Sequence, residues 1–496
     1  MKNCFYKSTR SNDINITSSE AIVRGLASDG GLYVPVTFPT LEKSFDELAN
    51  MNYRELAFYI IKRFFTDFSD DELLNCVNSA YDDKFEVEEI APLVGSEDVH
   101  FLELFHGPTL AFKDMALSIL PHLLKTASKK LNIQEEIVIL TATSGDTGKA
   151  ALEGFADIDG TKIIVFFPEK GVSKIQERQM TTQKGKNTFV IGIEGNFDDA
   201  QRGVKEIFSD EGFNEEIKRK GYMFSSANSI NIGRLVPQIV YYFYSYLSLF
   251  KQGKISKGEG INVVVPTGNF GNILAAYYAK ELGLPINKLI CASNDNNVLY
   301  DFINTGVYDI KREFKKTISP SMDILISSNL ERFLYELSGK DENMVKHLME
   351  ELKETGSYEI SHSMKDGLKE FYGGYIDDKE TFETIRELYE DCKYLIDTHT
   401  AVAYAVYKKY KKDTGDNAKT IIASTASPYK FTRSVMKSID KDFDKCDDFD
   451  LIKEMSKMTG LGIPRGIEDL ENKDILHNRK CRKDEMKEVI FHILNK

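Results

Sequence analysis

The feature that most limits how this chain can fold is a recurrent pattern that sets in near residue 100. Short aliphatic, β-branched runs at 137–140, 163–167, 189–191, 261–265, 289–292 and 421–423 alternate with segments of helical periodicity. Such runs are too short for helices and too uniformly apolar for strands with one wet face. They predict strands buried on both sides, as in a parallel sheet covered by helices. The expected class is α/β. The first 95 residues read as helical. There Thr17-Ser18-Ser19-Glu20 has the form of a capping box, Asp29-Gly30-Gly31 marks a turn, and 53–90 carries apolar positions at helical spacing. Two charge-rich stretches, 330–395 and 437–496, also read as helical.

At 496 residues, and about 100–200 residues per domain, the chain should hold about two to four domains. Its 64 basic and 77 acidic residues leave a formal charge of −13. That balance disfavours non-specific contact with nucleic acid or an anionic membrane surface. An anionic ligand must then be met by a local cluster of donors working against the overall field. The cysteines at 4, 76, 291, 392, 446 and 481 include no CxxC pair. They read as reduced thiols of a cytoplasmic protein, not as a disulfide framework or zinc site. No His cluster or carboxylate pair points to a metal. The first residues show no apolar core of a signal peptide. The longest uncharged apolar-rich run, 235–250, falls short of the roughly 18–20 residues of a membrane span, and a buried helix is expected there.

Three loops hold the residues that could do chemistry. In the first, Val265-Pro266-Thr267-Gly268-Asn269-Phe270-Gly271-Asn272 links a strand to a helical segment. Its glycines allow close backbone approach, and the helix start offers unpaired N–H groups at the positive end of a dipole, a geometry that cradles phosphate. The same turn also occurs where Gly and Asn only supply unusual backbone angles. In the second, Thr141-Ala142-Thr143-Ser144-Gly145-Asp146-Thr147-Gly148 presents hydroxyls and amides at another helix start, suited to a carboxylate or phosphate. It is not a P-loop, because only two residues separate its glycines and Ala150 follows Lys149. Helix capping alone would explain it equally well. The third is His106-Gly107-Pro108-Thr109-Leu110-Ala111-Phe112-Lys113-Asp114. Pro108 and Thr109 read as a helix start, which puts Lys113 in its first turns. A cation is mildly unfavourable there, and a partly desolvated amine can form a Schiff base. A lone lysine is more commonly a solvated surface group.

Together these segments resemble those of the pyridoxal-phosphate enzymes of the tryptophan-synthase-β fold type (fold type II). More narrowly they resemble the threonine synthases of the longer bacterial and fungal type. The resemblance runs collinearly along most of the chain. It includes Tyr6-Lys7-Ser8-Thr9-Arg10, the stretch 25–35, the lysine loop 106–114, Phe167-Pro168 with Val172-Ser173, and Gln176-Glu177-Arg178-Gln179-Met180. It continues through 195–201, Asn228-Ser229-Ile230-Asn231 with Arg234, 319–324 and 424–431. The sequence departs from the family at Ser427, where a His is usual.

The resemblance implies two parallel-sheet three-layer domains with a helical N-terminal domain and a helical C-terminal extension. The expected divisions are 1–95 for the N-terminal domain and 96–128 with 255–440 for a large cofactor-binding domain, with a helical insert near 330–395. A smaller α/β domain takes 129–254, and the extension takes 437–496. It implies pyridoxal 5′-phosphate held covalently by Lys113. Gly268, Asn269, Phe270, Gly271 and Asn272 would bind the cofactor phosphate, Thr425 the pyridine nitrogen, and Asp146 the vicinity of the 3′-oxygen. Thr143, Ser144 and Thr147 would seat the substrate carboxylate. Asn228, Ser229, Asn231 and Arg234 are candidates for a substrate phosphate, Arg being suited by its planar fork. No metal is implied. His106 reads as structural, and Asp397 with His399 as no catalytic triad, since no nucleophile signature accompanies them. The implied reaction turns O-phospho-L-homoserine and water into L-threonine and phosphate. Alternatives are a phospholyase or dehydratase of the same fold, or an inactive relative. The expected partner is that small substrate, with no nucleic acid and no membrane, in a monomer or homodimer.

Overall fold

In the computed structural model, which describes residues 3–11, 15–143, 145–169 and 172–495, all six apolar runs lie in strands. The strands form two principal sheets. The larger is ordered Phe371–Tyr375, Ile286–Ser293, Ile261–Pro266, Thr420–Ser424, Val99–Glu103, Leu93–Ser96. It is parallel except for its last pair. The smaller is ordered Arg479–Cys481, Thr188–Ile193, Thr161–Pro168, Glu136–Ala142, Tyr222–Ser225 and is parallel throughout. The class is α/β, as the patterning predicts.

Side chains along each run alternate between two faces, as the pleat requires. Ile137, Ile139, Ile163 and Val165 of the smaller sheet share one continuous core with Val263, Val265, Leu289 and Ile421 of the larger. The N-terminal helices Tyr53–Phe64 and Asp70–Ala80 pack into the same core. Val264, Ile290 and Ile422 face a second core against the helix Thr398–Thr414. Val138, Leu140, Ile164 and Phe166 face a third, closed by the helix Met486–Leu494. Each fully buried aliphatic side chain contributes roughly 1.5–3 kcal/mol, so the shared core fixes the two sheets against each other. The run 235–250 falls in the helix Ile232–Lys251, buried along most of its length. Among the described residues no helix is long and apolar enough to cross a membrane.

Three regions depart from the sequence reading. Within 330–395, Phe371–Tyr375 is an edge strand of the larger sheet, and Ser357–Glu359 pairs with Val307–Asp309. The edge strand carries Gly373 and Gly374 in its middle. A Cβ on Gly374 would lie 2.6 Å from Val406 Cγ1, so glycine is needed for the helix Thr398–Thr414 to approach. In the C-terminal stretch, Arg479–Cys481 is a strand with two exposed positions, so no apolar run announces it. Near the start, Tyr6–Ser8 pairs antiparallel with Tyr33–Pro35.

This N-terminal pair is fastened by two adjacent charged residues of the helix Leu330–Leu337. Glu331 accepts from Arg10 Nε and Nη2, both at 2.8 Å, and from Thr9 Oγ1 at 2.5 Å. Arg332 is fully buried, and burial brings its guanidinium down to about 10. It donates to Tyr33 O at 2.9 Å and to Asn329 Oδ1 and Ile230 O, each at 2.6 Å. Arg332→Met would leave three buried acceptors without donors, each costing about 1–3 kcal/mol. A urea titration should therefore show a loss of at least ~3 kcal/mol, far above the ~0.5 kcal/mol of an ordinary surface substitution.

Candidate active site

Each candidate loop leaves the carboxyl end of a parallel strand, where open α/β sheets place their ligand crevices. The lysine loop follows Val99–Glu103, the Gly-rich turn follows Ile261–Pro266, and the Thr425 segment follows Thr420–Ser424. From the smaller sheet, the Asp146 loop follows Glu136–Ala142, and residues 226–231 follow Tyr222–Ser225.

The lysine loop is pinned on both sides. Ala111 bridges Ala426, Phe112 N donates to Thr425 O at 2.8 Å, and Ser427 N donates to Leu110 O at 3.0 Å. Asp114 turns back to accept from Thr109 N at 2.8 Å and Thr109 Oγ1 at 2.5 Å. These bonds delay the helix. It begins at Asp114, not at Pro108 and Thr109, and Lys113 is its N-cap residue. The usual Ser427 alternative, His, is not needed to hold this segment, since Ser427 caps the short helix Pro428–Phe431 by accepting from Tyr429 N at 3.3 Å.

Lys113 Nζ reaches Asp146 Oδ2 at 3.4 Å and Ser321 Oγ at 3.2 Å. Burial pushes its ammonium below the ordinary value; Asp146 opposes this, while Lys430 and Arg234 add to it. Asp146 is ringed by donors. Its Oδ1 accepts from Gln176 Nε2 at 2.8 Å and faces Lys430 Nζ at 3.2 Å; its Oδ2 accepts from Ser321 Oγ at 2.8 Å. Burial alone would raise this carboxyl, but Lys430 and then Lys113 outweigh it and hold it well below the carboxylate range. Ser321 is itself held through its backbone N–H, which donates to His399 Nε2 at 3.1 Å. A donor there requires a lone pair on Nε2, so Nδ1 carries the proton and gives it to Asp397 Oδ2 at 2.8 Å. Asp397 and His399 therefore serve a backbone amide, not a nucleophile, in agreement with the absence of a triad.

The Gly-rich turn closes over the same space. Phe270 adopts φ +60°, held by stacking against Phe333 and Phe371, and starts the helix Gly271–Glu281. Asn269 O accepts from Asn329 N and Nδ2, each at 3.0 Å, and Gly268 O accepts from Ser327 Oγ at 2.7 Å. Asn272 Oδ1 accepts from Tyr241 at 2.7 Å and from Tyr242. Its buried Nδ2 has no partner among the described residues, and neither has the buried Nε of Arg234. Arg234 donates one bond, to Ala227 O at 2.9 Å, and desolvation brings it down to about 10. These two unused buried donors, one of them on a guanidinium, suit anionic oxygens.

The other candidates divide. Thr143 Oγ1 accepts from Gly145 N at 3.0 Å and Gly148 N at 2.9 Å, so it shapes its own loop; Thr147 is half-buried in the first turn of Asp146–Phe155. Ser144 lies outside the described residues. Thr425 is buried with its carbonyl engaged. Asn231 is committed to the fold: its Nδ2 donates to Ile22 O and Ser226 O, and its Oδ1 caps Gly233 N. Asn228 is exposed and Ser229 half-buried. Of the residues in contact with Lys113 and Asp146, sequence reasoning assigned no role to Lys430, Ser321 or Gln176. All three lie inside the resembling segments, but nothing in their spacing marks them.

The chain matches three family models: "Threonine synthase N terminus" over residues 5–81, "Pyridoxal-phosphate dependent enzyme" over 84–425, and "Threonine synthase, C-terminal" over 400–480. It is 37% identical to the threonine synthase of Saccharomyces cerevisiae over 461 residues, covering 87% of this chain and 88% of that one. It is 39% identical to that of Pseudomonas aeruginosa over 441 residues, covering 87% and 90%. It is 41% identical to human Threonine synthase-like 1, covering 85% of this chain but spanning only 58% of that longer relative. Among solved structures, a PLP-bound threonine synthase from Brucella melitensis superposes with a TM-score of 0.88 at 34% identity, covering 100% of both chains.

A Cβ on Gly268 would lie 2.8 Å from Ser321 O, a backbone atom that must then move. Gly268→Ala should displace Ser321 and weaken pyridoxal-phosphate uptake at least ~10-fold in an absorbance titration, with circular dichroism unchanged.

Proposed function

The chain belongs to the threonine synthase family of pyridoxal-phosphate-dependent enzymes, and on that footing we propose that it converts O-phospho-L-homoserine and water to L-threonine and phosphate. The observation that carries this reading is Lys113: a buried amine, lowered from its ordinary value by burial, in contact with Asp146 and Ser321.

The residues present fit the family's cofactor. Lys113 Nζ would hold it. The helix start at Gly271 and the unpartnered Asn272 Nδ2 would receive its phosphate, alongside Gly268, Asn269 and Phe270. Thr425 would meet the ring nitrogen, where a hydroxyl cannot hold a full positive charge as a carboxylate would. Asp146 would lie near the 3′-oxygen. Pyridoxal phosphate, when bound, supplies an aldehyde for the substrate amine and a ring that accepts electrons from the substrate carbons.

What remains falls to the protein. A neutral Lys113 amine is the base assigned to the Cα proton, and the burial that lowers its basicity favours that neutral form. The loop of Thr143, Ser144 and Thr147 would orient the carboxylate. Arg234, with one N–H unspent, would bind the γ-phosphate and stabilise it as it departs. Asn231 would act by holding that loop, with Asn228 and Ser229 at its rim. Water then adds at Cβ. We place the enzyme in the cytoplasm on the strength of its six unpaired thiols, acting on this small substrate as a monomer or homodimer.

The test is threonine and phosphate release from O-phospho-L-homoserine, with cofactor supplied. Lys113→Ala should lose at least ~10³-fold in kcat, since covalent carrier and base vanish together. Phosphate release with a 2-oxo acid and no threonine would instead establish a phospholyase. Arg234→Gln removes charge-assisted bonds to phosphate worth roughly 1.5–3 kcal/mol. Its KM should therefore rise ~10-fold or more, and an unchanged KM would free Arg234 of the role.

A further inference from the structure

Two lysines face Asp146, and the second has no part in the reaction as so far described. Lys430 has no exposed side-chain surface, whereas Lys113 keeps 11% of its own. Lys430 Nζ donates to Thr109 O at 2.7 Å and lies 3.2 Å from Asp146 Oδ1. Lys113 is the more distant claimant on that carboxylate, at 3.4 Å. The closer donors to Asp146, Ser321 and Gln176, are neutral. One anion is thus shared between two buried lysines, and Lys430 stands closer to it.

We propose that Lys430 is a positioning residue whose fixed ammonium occupies Asp146 and thereby leaves Lys113 as a free amine. This rests on Lys113 being the reactive amine. Asp146 attracts from the helix Asp146–Phe155, Lys430 repels from Pro428–Phe431, and Arg234 repels from Ile232–Lys251. His399 acts at one remove, through Ser321 and Asp146. Asp114, next in the chain, turns away to Thr109. If Lys113 were protonated, two lysine cations would share one carboxylate in a buried space, with Arg234 adding its repulsion to Lys113. With Lys113 neutral the imbalance is smaller, and Lys430 remains the counterion of Asp146. The arrangement also explains why a second buried lysine is retained: a neutral residue there would let Asp146 pair with Lys113 and hold it protonated.

The experiment is competitive acetylation of the full chain, freed of cofactor, across a pH series. The Lys113 peptide is read by mass spectrometry and Lys113→Ala fixes its assignment. No turnover is needed, so a failed threonine assay leaves the result readable. Lys430→Met should raise the pH midpoint of Lys113 labelling by about one unit or more, a tenfold loss of free amine at neutral pH. Lys430→Arg, which keeps the charge, should restore most of that loss. Asp146→Asn should move the midpoint the other way, downward. Opposite signs exclude a general loosening of the site, which would shift both variants alike towards the value of a solvated lysine. An unchanged or lowered midpoint in Lys430→Met overturns the proposal, as does a rise in Asp146→Asn. Should Lys430→Met not fold, Lys430→Gln carries the same expectation and the same refutation.

Discussion

The Asp146 carboxylate is the point at which the two halves of the crevice are joined. Asp146 and Gln176 come from the smaller sheet and its helices, whereas Lys430, Ser321 and Lys113 come from loops of the larger. A bare carboxylate could not be buried there, because desolvating it would cost several kcal/mol. Two buried lysines and two neutral donors make it tolerable, and by the same contacts they set the position of the Lys113 amine. The remaining site geometry is hung from this node. Ser321 is braced by His399, His399 by Asp397, and the turn at Gly268 is close enough to Ser321 that only hydrogen fits between them.

A second node works at longer range. Arg332 joins the N-terminal strand pair, the backbone just before Arg234, and Asn329, which grips the Gly-rich turn by two bonds to one carbonyl. Glu331 beside it clasps Arg10 and Thr9. The N-terminal region therefore does more than cover the core. Through one guanidinium it shares a frame with the Gly-rich turn and with the backbone before Arg234, so these segments are held by hydrogen bonds and not by apolar packing alone.

Much of this was legible in advance, and the reason is periodicity. The six apolar runs alternate side chains between two covered faces, a pattern that only buried strands produce, and all six are strands. Two of the candidate loops were legible because glycine and hydroxyl residues stood just past those runs, where strand ends place ligand crevices; the lysine loop follows Val99–Glu103, which is not one of the six. What could not be read was whatever depends on contacts distant in sequence. Ser321 is 208 positions from Lys113, and Lys430 is 321 from Thr109, whose carbonyl it seeks. Gly374 is needed for a helix to come close, and Asn231, which the resemblance offers for a substrate phosphate, has its amide engaged by capping and by Ile22.

The strand Arg479–Cys481 has a consequence for how such a chain is made. It pairs with residues 191–193, which leave the ribosome about 290 positions earlier and, at ~5–20 residues per second, many seconds before. Throughout that interval the amide and carbonyl groups along one side of Thr188–Ile193 face outward with no neighbour to accept them. A nascent polypeptide in this condition offers a ready template to another growing copy. Arg479–Cys481, arriving late, covers residues 191–193 of that border, and Lys480 is fastened there by an ion pair with Glu169.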